Sequence, residues 1–125
     1  MYVRGIRGAT TVEAYEEKQI LEATTELLEQ IVAHNAIRPE DICSVLITVT
    51  HDLTSAFPAK AIRGMKGWEL VPLMCSMEIP VPGSLERCIR MMVLTNTGKN
   101  QNEIRHIYLK TAKKLRPDIL ELTAK

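Results

Sequence analysis

Nothing in this chain announces a membrane, a metal or a cofactor. No apolar run approaches the ~20 residues of a membrane-spanning helix, and the opening Met1-Tyr2-Val3-Arg4-Gly5-Ile6-Arg7 lacks the apolar stretch of an export signal. The expected setting is cytoplasmic, with no membrane partner. The three cysteines, Cys43, Cys75 and Cys88, are odd in number and without C-x-x-C spacing, which argues against a disulfide framework or a zinc site. His34, His51 and His106 are scattered without ligand spacing, so no metal is expected. An excess of one charge is also missing. Sixteen basic and fifteen acidic residues give a net charge of +1, too balanced for nucleic-acid binding by bulk electrostatics.

Catalytic signatures are missing too. Gly98-Lys99-Asn100 lacks the rest of a phosphate loop. There is no dinucleotide fingerprint, no G-x-S-x-G elbow, and no signalled Cys–His or Ser–His pair. An enzyme made of this sequence would need neither a cofactor nor a covalent nucleophile. Its chemistry would rest on positioning and electrostatics.

What is present fits one compact domain: 125 residues, 46% apolar and 25% charged, with no repeat or linker. Residues 2–11 read as a strand containing Gly5 and Gly8, where another backbone or a ligand can come close. Ile20, Leu21, Thr24, Leu27, Leu28, Ile31 and Val32 recur at helical steps. They predict an amphipathic helix from Glu13 or Glu16 to His34, stopped by Asn35. Arg38–Asp41 reads as a turn, and the β-branched run Ile42–Thr50 as a strand covered on both faces. A short helix is expected within Ser55–Lys66, capped by Thr54 or Ser55, with Pro58 in its first turn and Gly67 at its exit. Then come an extended segment Trp68–Met77, a punctuated loop over Pro80–Gly83, a turn over Ser84–Cys88, and strands Ile89–Thr97 and Ile104–Leu109. The domain spans 1–116, and 117–125 reads as a loosely held tail. The class is α+β, or a mixed sheet under one helix layer. One long helix covers one face of a sheet whose strands look apolar on both. The uncovered face suggests a homo-oligomer.

Arginine is rarely buried without a partner, yet Arg90 sits inside Cys88-Ile89-Arg90-Met91-Met92-Val93-Leu94. It either snorkels to solvent or pairs with a glutamate, or it points into a pocket at an anion. Arg7, between two glycines, raises the same question, as does Arg116 before Pro117. Lys60 and Arg63 share a helix face continued by Lys66, by itself a solvated stripe. Glu78 is a candidate pocket carboxylate, whereas Cys75 and Tyr108 on their own read as ordinary core residues.

Together these segments are similar to a known family. Arg4-Gly5-Ile6-Arg7-Gly8-Ala9-Thr10-Thr11-Val12, Phe57-Pro58-Ala59-Lys60-Ala61-Ile62-Arg63, Val71-Pro72-Leu73-Met74-Cys75 with Glu78, Cys88-Ile89-Arg90, Ile104-Arg105-His106-Ile107-Tyr108-Leu109 and Leu115-Arg116-Pro117-Asp118 follow in order. This series resembles the monofunctional, trimeric chorismate mutases of mixed α/β type, over essentially the whole chain. His51 and Met74 depart from the family pattern, where proline and threonine occur; neither belongs to the charged set. The resemblance implies a ferredoxin-like subunit in a homotrimer with a barrel-like β core and clefts between subunits. It implies conversion of chorismate to prephenate. Arg90 would meet the ether oxygen, Arg7 and Tyr108 the side-chain carboxylate, and Glu78 with Cys75 the ring hydroxyl. Phe57, Ala59, Leu73, Met74 and Leu115 would line the pocket, and Lys60, Arg63 and Arg116 would sit near its mouth. Rival expectations are an imine deaminase of similar architecture and a ligand-binding module without activity.

Overall fold

The structure, a computed structural model, describes residues 1–116. The expected tail, 117–125, lies outside the described residues. The elements run β1 (Tyr2–Thr11), α1 (Glu17–Asn35), β2 (Ile42–Val49), α2 (Ala59–Arg63), β3 (Leu73–Met77), β4 (Cys88–Thr97) and β5 (Ile107–Tyr108), with 3-10 turns at Pro39–Asp41, Gln101–Glu103 and Lys110–Lys114. They form a five-stranded sheet in the order β3-β2-β4-β1-β5. β4 runs antiparallel to both β1 and β2, while β3 is parallel to β2 and β5 to β1. β1–α1–β2 is therefore a split β-α-β unit with β4 between its strands, which is one half of a ferredoxin-like pattern. The other half departs from that pattern. α2 has only five residues, and the last strand runs parallel to β1 rather than against it.

The helix periodicity is realised. Ile20, Ala23, Leu27, Leu28 and Ile31 are buried on one face of α1, against Ile6 of β1, Val45 and Ile47 of β2, and Ile89, Met91 and Val93 of β4. Gly8 lets the helix settle this closely, because a Cβ there would lie 2.6 Å from Ile31 Cδ1. The other face of the sheet carries no α-helix among the described residues; only the 3-10 turn Lys110–Lys114 packs there, through Ala112 against Ala9 and Cys88. Leu46 and Met74 remain 43% and 66% exposed there, and Met92 and Leu94 pass over Gly5 half-buried.

Five boundaries differ from the sequence expectation. α2 is shorter than Ser55–Lys66, and Pro58 precedes its first residue as N-cap without a side-chain cap bond; the Ser55 hydroxyl instead donates to the Tyr15 carbonyl. Residues 68–72 turn rather than extend, because Gly67, at φ +92°, reverses the chain and buries Trp68 in the core. β4 begins at Cys88. The expected strand Ile104–Leu109 pairs at only two residues, since side chains take the backbone groups before it. Asn35 donates to the Arg105 carbonyl at 2.9 Å and accepts from the Arg105 amide at 2.8 Å. Asn35 is thus the last helical residue, and the left-handed stop falls on Ala36, at φ 51°.

Candidate active site

Strand alternation sends residues i and i+2 to the same face. Val45, Ile47 and Val49 of β2 enter the core beneath α1, so Leu46, Thr48 and Thr50 face the uncovered side. By the same rule Arg90 of β4 and Arg7 of β1 reach that side. A cavity of about 710 Å³ opens there, lined among others by Arg7, Thr48, Glu78, Arg90, Tyr108 and Leu115. Glu78, just past β3, is fixed by its backbone amide, which donates to the Val49 carbonyl at 2.9 Å.

Arg90 neither snorkels away nor stands alone. Its Nε donates to Glu78 Oε2 at 2.8 Å and its Nη2 donates to Glu78 Oε1, a two-pronged pair. The Thr48 hydroxyl donates to the same Oε2 at 2.7 Å. Burial raises the Glu78 pKa, but the Arg90 hydrogen bonds, the Thr48 hydroxyl and the Arg90 charge together hold it below its ordinary value. The same hydrogen bonds raise Arg90 above its ordinary value, against burial. The site therefore holds a fixed cation and a fixed anion side by side. The Glu78 side chain is 13% exposed and that of Arg90 42%, so the guanidinium is the member that faces incoming molecules.

The Cys88 thiol, beside this pair, is pushed up to about 12, first by burial and then by the Glu78 charge. It has no thiolate character near neutrality. Tyr108 is buried with Ala9, Cys88 and Ala112, with Leu85 and Leu115 packed against them. The segment before β4 is held by a cradle that the sequence reading missed. Thr50 Oγ1 accepts from the Cys88 amide at 3.0 Å and donates to Asp52 Oδ1, while Asp52 Oδ2 accepts from the Arg87 amide at 3.0 Å. Thr48 was missed as well. The available signal was alternation: Thr48 and Thr50 are the polar members of a two-residue period in a run that reads as uniformly covered.

The remaining expected residues do not join this cavity within one chain. Phe57 is 73% exposed, Ala59 is buried, Lys60 pairs with Glu17 at 3.5 Å, and Arg63 is exposed. Leu73 and Cys75 pack on the α1 side of the sheet, opposite Glu78, and Met74 is exposed on the other side. Cys75 therefore does not assist the Glu78 carboxylate of its own chain, because β3 alternation separates them by a face. Arg116 is half-buried, and its charge reaches His106. Among the described residues, no cluster of His, Cys, Asp or Glu could hold a metal ion, and no helix is long and apolar enough to cross a membrane.

Comparisons with known proteins place the chain in a family. Residues 3–119 match the family described as chorismate mutase type I. The chain is 48% identical over 119 residues to chorismate mutase AroH of Bacillus subtilis, covering 95% of this chain and 94% of that one. It is 51% identical over 118 residues to chorismate mutase AroH of Thermus thermophilus, covering 94% and 96%. Its fold superposes on the solved chorismate mutase of Clostridium thermocellum with a TM-score of 0.86 at 48% identity, covering 89% of this chain and 98% of that one. With a family match over residues 3–119 and about half-identity to two relatives over almost the full length, the chain belongs to the type I chorismate mutase family.

Proposed function

We propose that this chain is an isomerase that converts chorismate to prephenate in aromatic amino-acid biosynthesis. Near half-identity over almost the full length of two chorismate mutases supports the reaction. The observation that carries it is the Arg90–Glu78 pair in a cavity also lined by Arg7. The reaction breaks one C–O bond and forms one C–C bond within a single molecule. It needs no proton transfer and no nucleophile. Negative charge grows on the ether oxygen as the C–O bond lengthens, and Arg90 is the fixed cation that meets it. A preorganised donor of this kind is worth roughly 3–4 kcal/mol, a hundred- to thousandfold in rate. Before substrate enters, Glu78 satisfies the guanidinium. On binding, the carboxylate turns to the ring hydroxyl while Arg7 and Tyr108 hold the side-chain carboxylate.

The working enzyme, in this reading, is a homotrimer whose uncovered sheet faces meet in a barrel-like core. The apolar exposure of Leu46 and Met74 supports this assembly. So does the division of the expected site residues. Arg7, Glu78, Arg90, Tyr108 and Leu115 line one cavity, while Phe57, Ala59, Lys60, Arg63, Leu73, Met74 and Cys75 lie outside it and form the half supplied by a neighbouring subunit. Purified protein should deplete chorismate, followed as loss of its ultraviolet absorbance, with no metal or cofactor added. A rate equal to that in buffer refutes the reading.

A further inference from the structure

The segment that carries Tyr108 is held to β1 by a ladder of only two residue pairs and by one side chain at its start. The Arg7 amide donates to His106 Nδ1 at 2.9 Å. Two residues on, the Ala9 carbonyl accepts from the Leu109 amide at 2.9 Å. From the helix side, Asn35 takes both backbone groups of Arg105. His106 thus ties the backbone of one cavity-lining residue, Arg7, to the strand that carries another, Tyr108.

One protonation state of the ring does this. To accept from an amide, Nδ1 must carry no proton, which puts the ring proton on Nε2. An imidazolium would set two donors face to face. The charged groups facing the half-buried ring are the guanidiniums of Arg7 on β1 and Arg116 beyond the last 3-10 turn. Burial first, then Arg7, then Arg116 lower the His106 pKa below its ordinary value.

We propose that His106 is a positioning residue for the rearrangement: its unprotonated Nδ1 clasps β5 to β1, so that Arg7 and Tyr108 share one wall of the cavity, and protonation opens the clasp. The kinetic part rests on the chorismate reading, whereas the clasp stands on the hydrogen bond. The sign follows from linkage. A histidine whose folded pKa is lowered contributes stability that is fully present above about pH 6.5, its unfolded value, and is lost as pH falls through the folded value.

The test compares the native protein with His106→Asn, which keeps an acceptor near the Nδ1 position but does not titrate, and His106→Leu, which removes it. KM, kcat and the thermal midpoint are measured from about pH 8 down to about pH 5, a range that spans histidine titration. In the native protein KM should rise toward acid by a larger factor than kcat falls. At the alkaline end, His106→Asn should stay within about twofold of native kinetics and hold its KM flat toward acid, while His106→Leu should raise KM about fivefold throughout. An acid-side rise in KM that persists in His106→Asn, or an unchanged KM in His106→Leu, overturns the proposal. If the native protein fails to convert chorismate, the functional reading falls by itself. The thermal midpoints then decide the clasp: a smaller acid-side drop in His106→Asn than in the native protein upholds it, and an equal drop overturns it.

Discussion

α1 packs tightly over Gly8, and this sets a measurable cost for adding one methyl group. A Cβ at Gly8 would stand 2.6 Å from Ile31 Cδ1 and 3.1 Å from Leu27 Cδ1. Gly8, Leu27 and Ile31 are all fully or nearly fully buried, so neither aliphatic chain can swing into solvent. Overpacking of this kind costs about 1–3 kcal/mol, and the contact below 3 Å places Gly8→Ala in the upper half of that range. At this chain length the thermal midpoint should fall by roughly 3–6 °C per kcal/mol. Urea unfolding at fixed protein concentration gives the free energy directly, and the slope against denaturant should not change. Ile31→Val removes the offending Cδ1 and alone costs about 0.5–1.5 kcal/mol. If the clash is the cause, the double variant should lose at least about 0.5 kcal/mol less than the sum of the single losses. A neutral Gly8→Ala, or strict additivity with Ile31→Val, would refute the reasoning.

Arg90→Ala should lower kcat by about a hundred- to a thousandfold, whereas Lys66→Ala, on an exposed position outside the cavity, should leave kcat unchanged; similar small effects in steady-state kinetics would reduce Arg90 to a structural role. Thr48→Val removes the hydroxyl that steadies Glu78 while keeping its shape, and should lower kcat/KM about three- to tenfold. Thr48→Ser should restore most of that loss, and a Val variant with native kinetics would contradict the positioning role.

The parts of the molecule most legible in the sequence were those governed by one dominant local force. α1 followed from apolar spacing because its burial is one-sided; the glycines of β1 pointed to a nearby backbone or ligand, whereas the side chains of Ile31 and Leu27 are what crowd Gly8. Arg90 was legible only as an anomaly. Alternation in β4 sends it away from α1, but the choice between solvent and pocket depended on Glu78, which arrives from β3 across β2. Where side chains replace backbone partners, local pattern was silent. Asn35 reads as a helix stop, yet its side chain is spent on Arg105, seventy positions away in sequence. The same substitution shortened β5, and the run Ile104–Leu109 carries no mark of it. Cys75 and Glu78 lie three residues apart, which looks like proximity, but strand alternation puts them on opposite faces.

The division of the expected site residues between the two ends of the sheet has a genetic consequence under the proposed assembly. A chain with Arg90→Ala and a chain with Arg63→Ala would each be inactive in pure form, for different reasons. Mixed at random into the same closed trimers, about one site in four would combine an intact Arg90 half with an intact Arg63 half and recover activity. Two defective copies of one gene could then complement each other in the same cell, and a copy damaged at both positions could not rescue either.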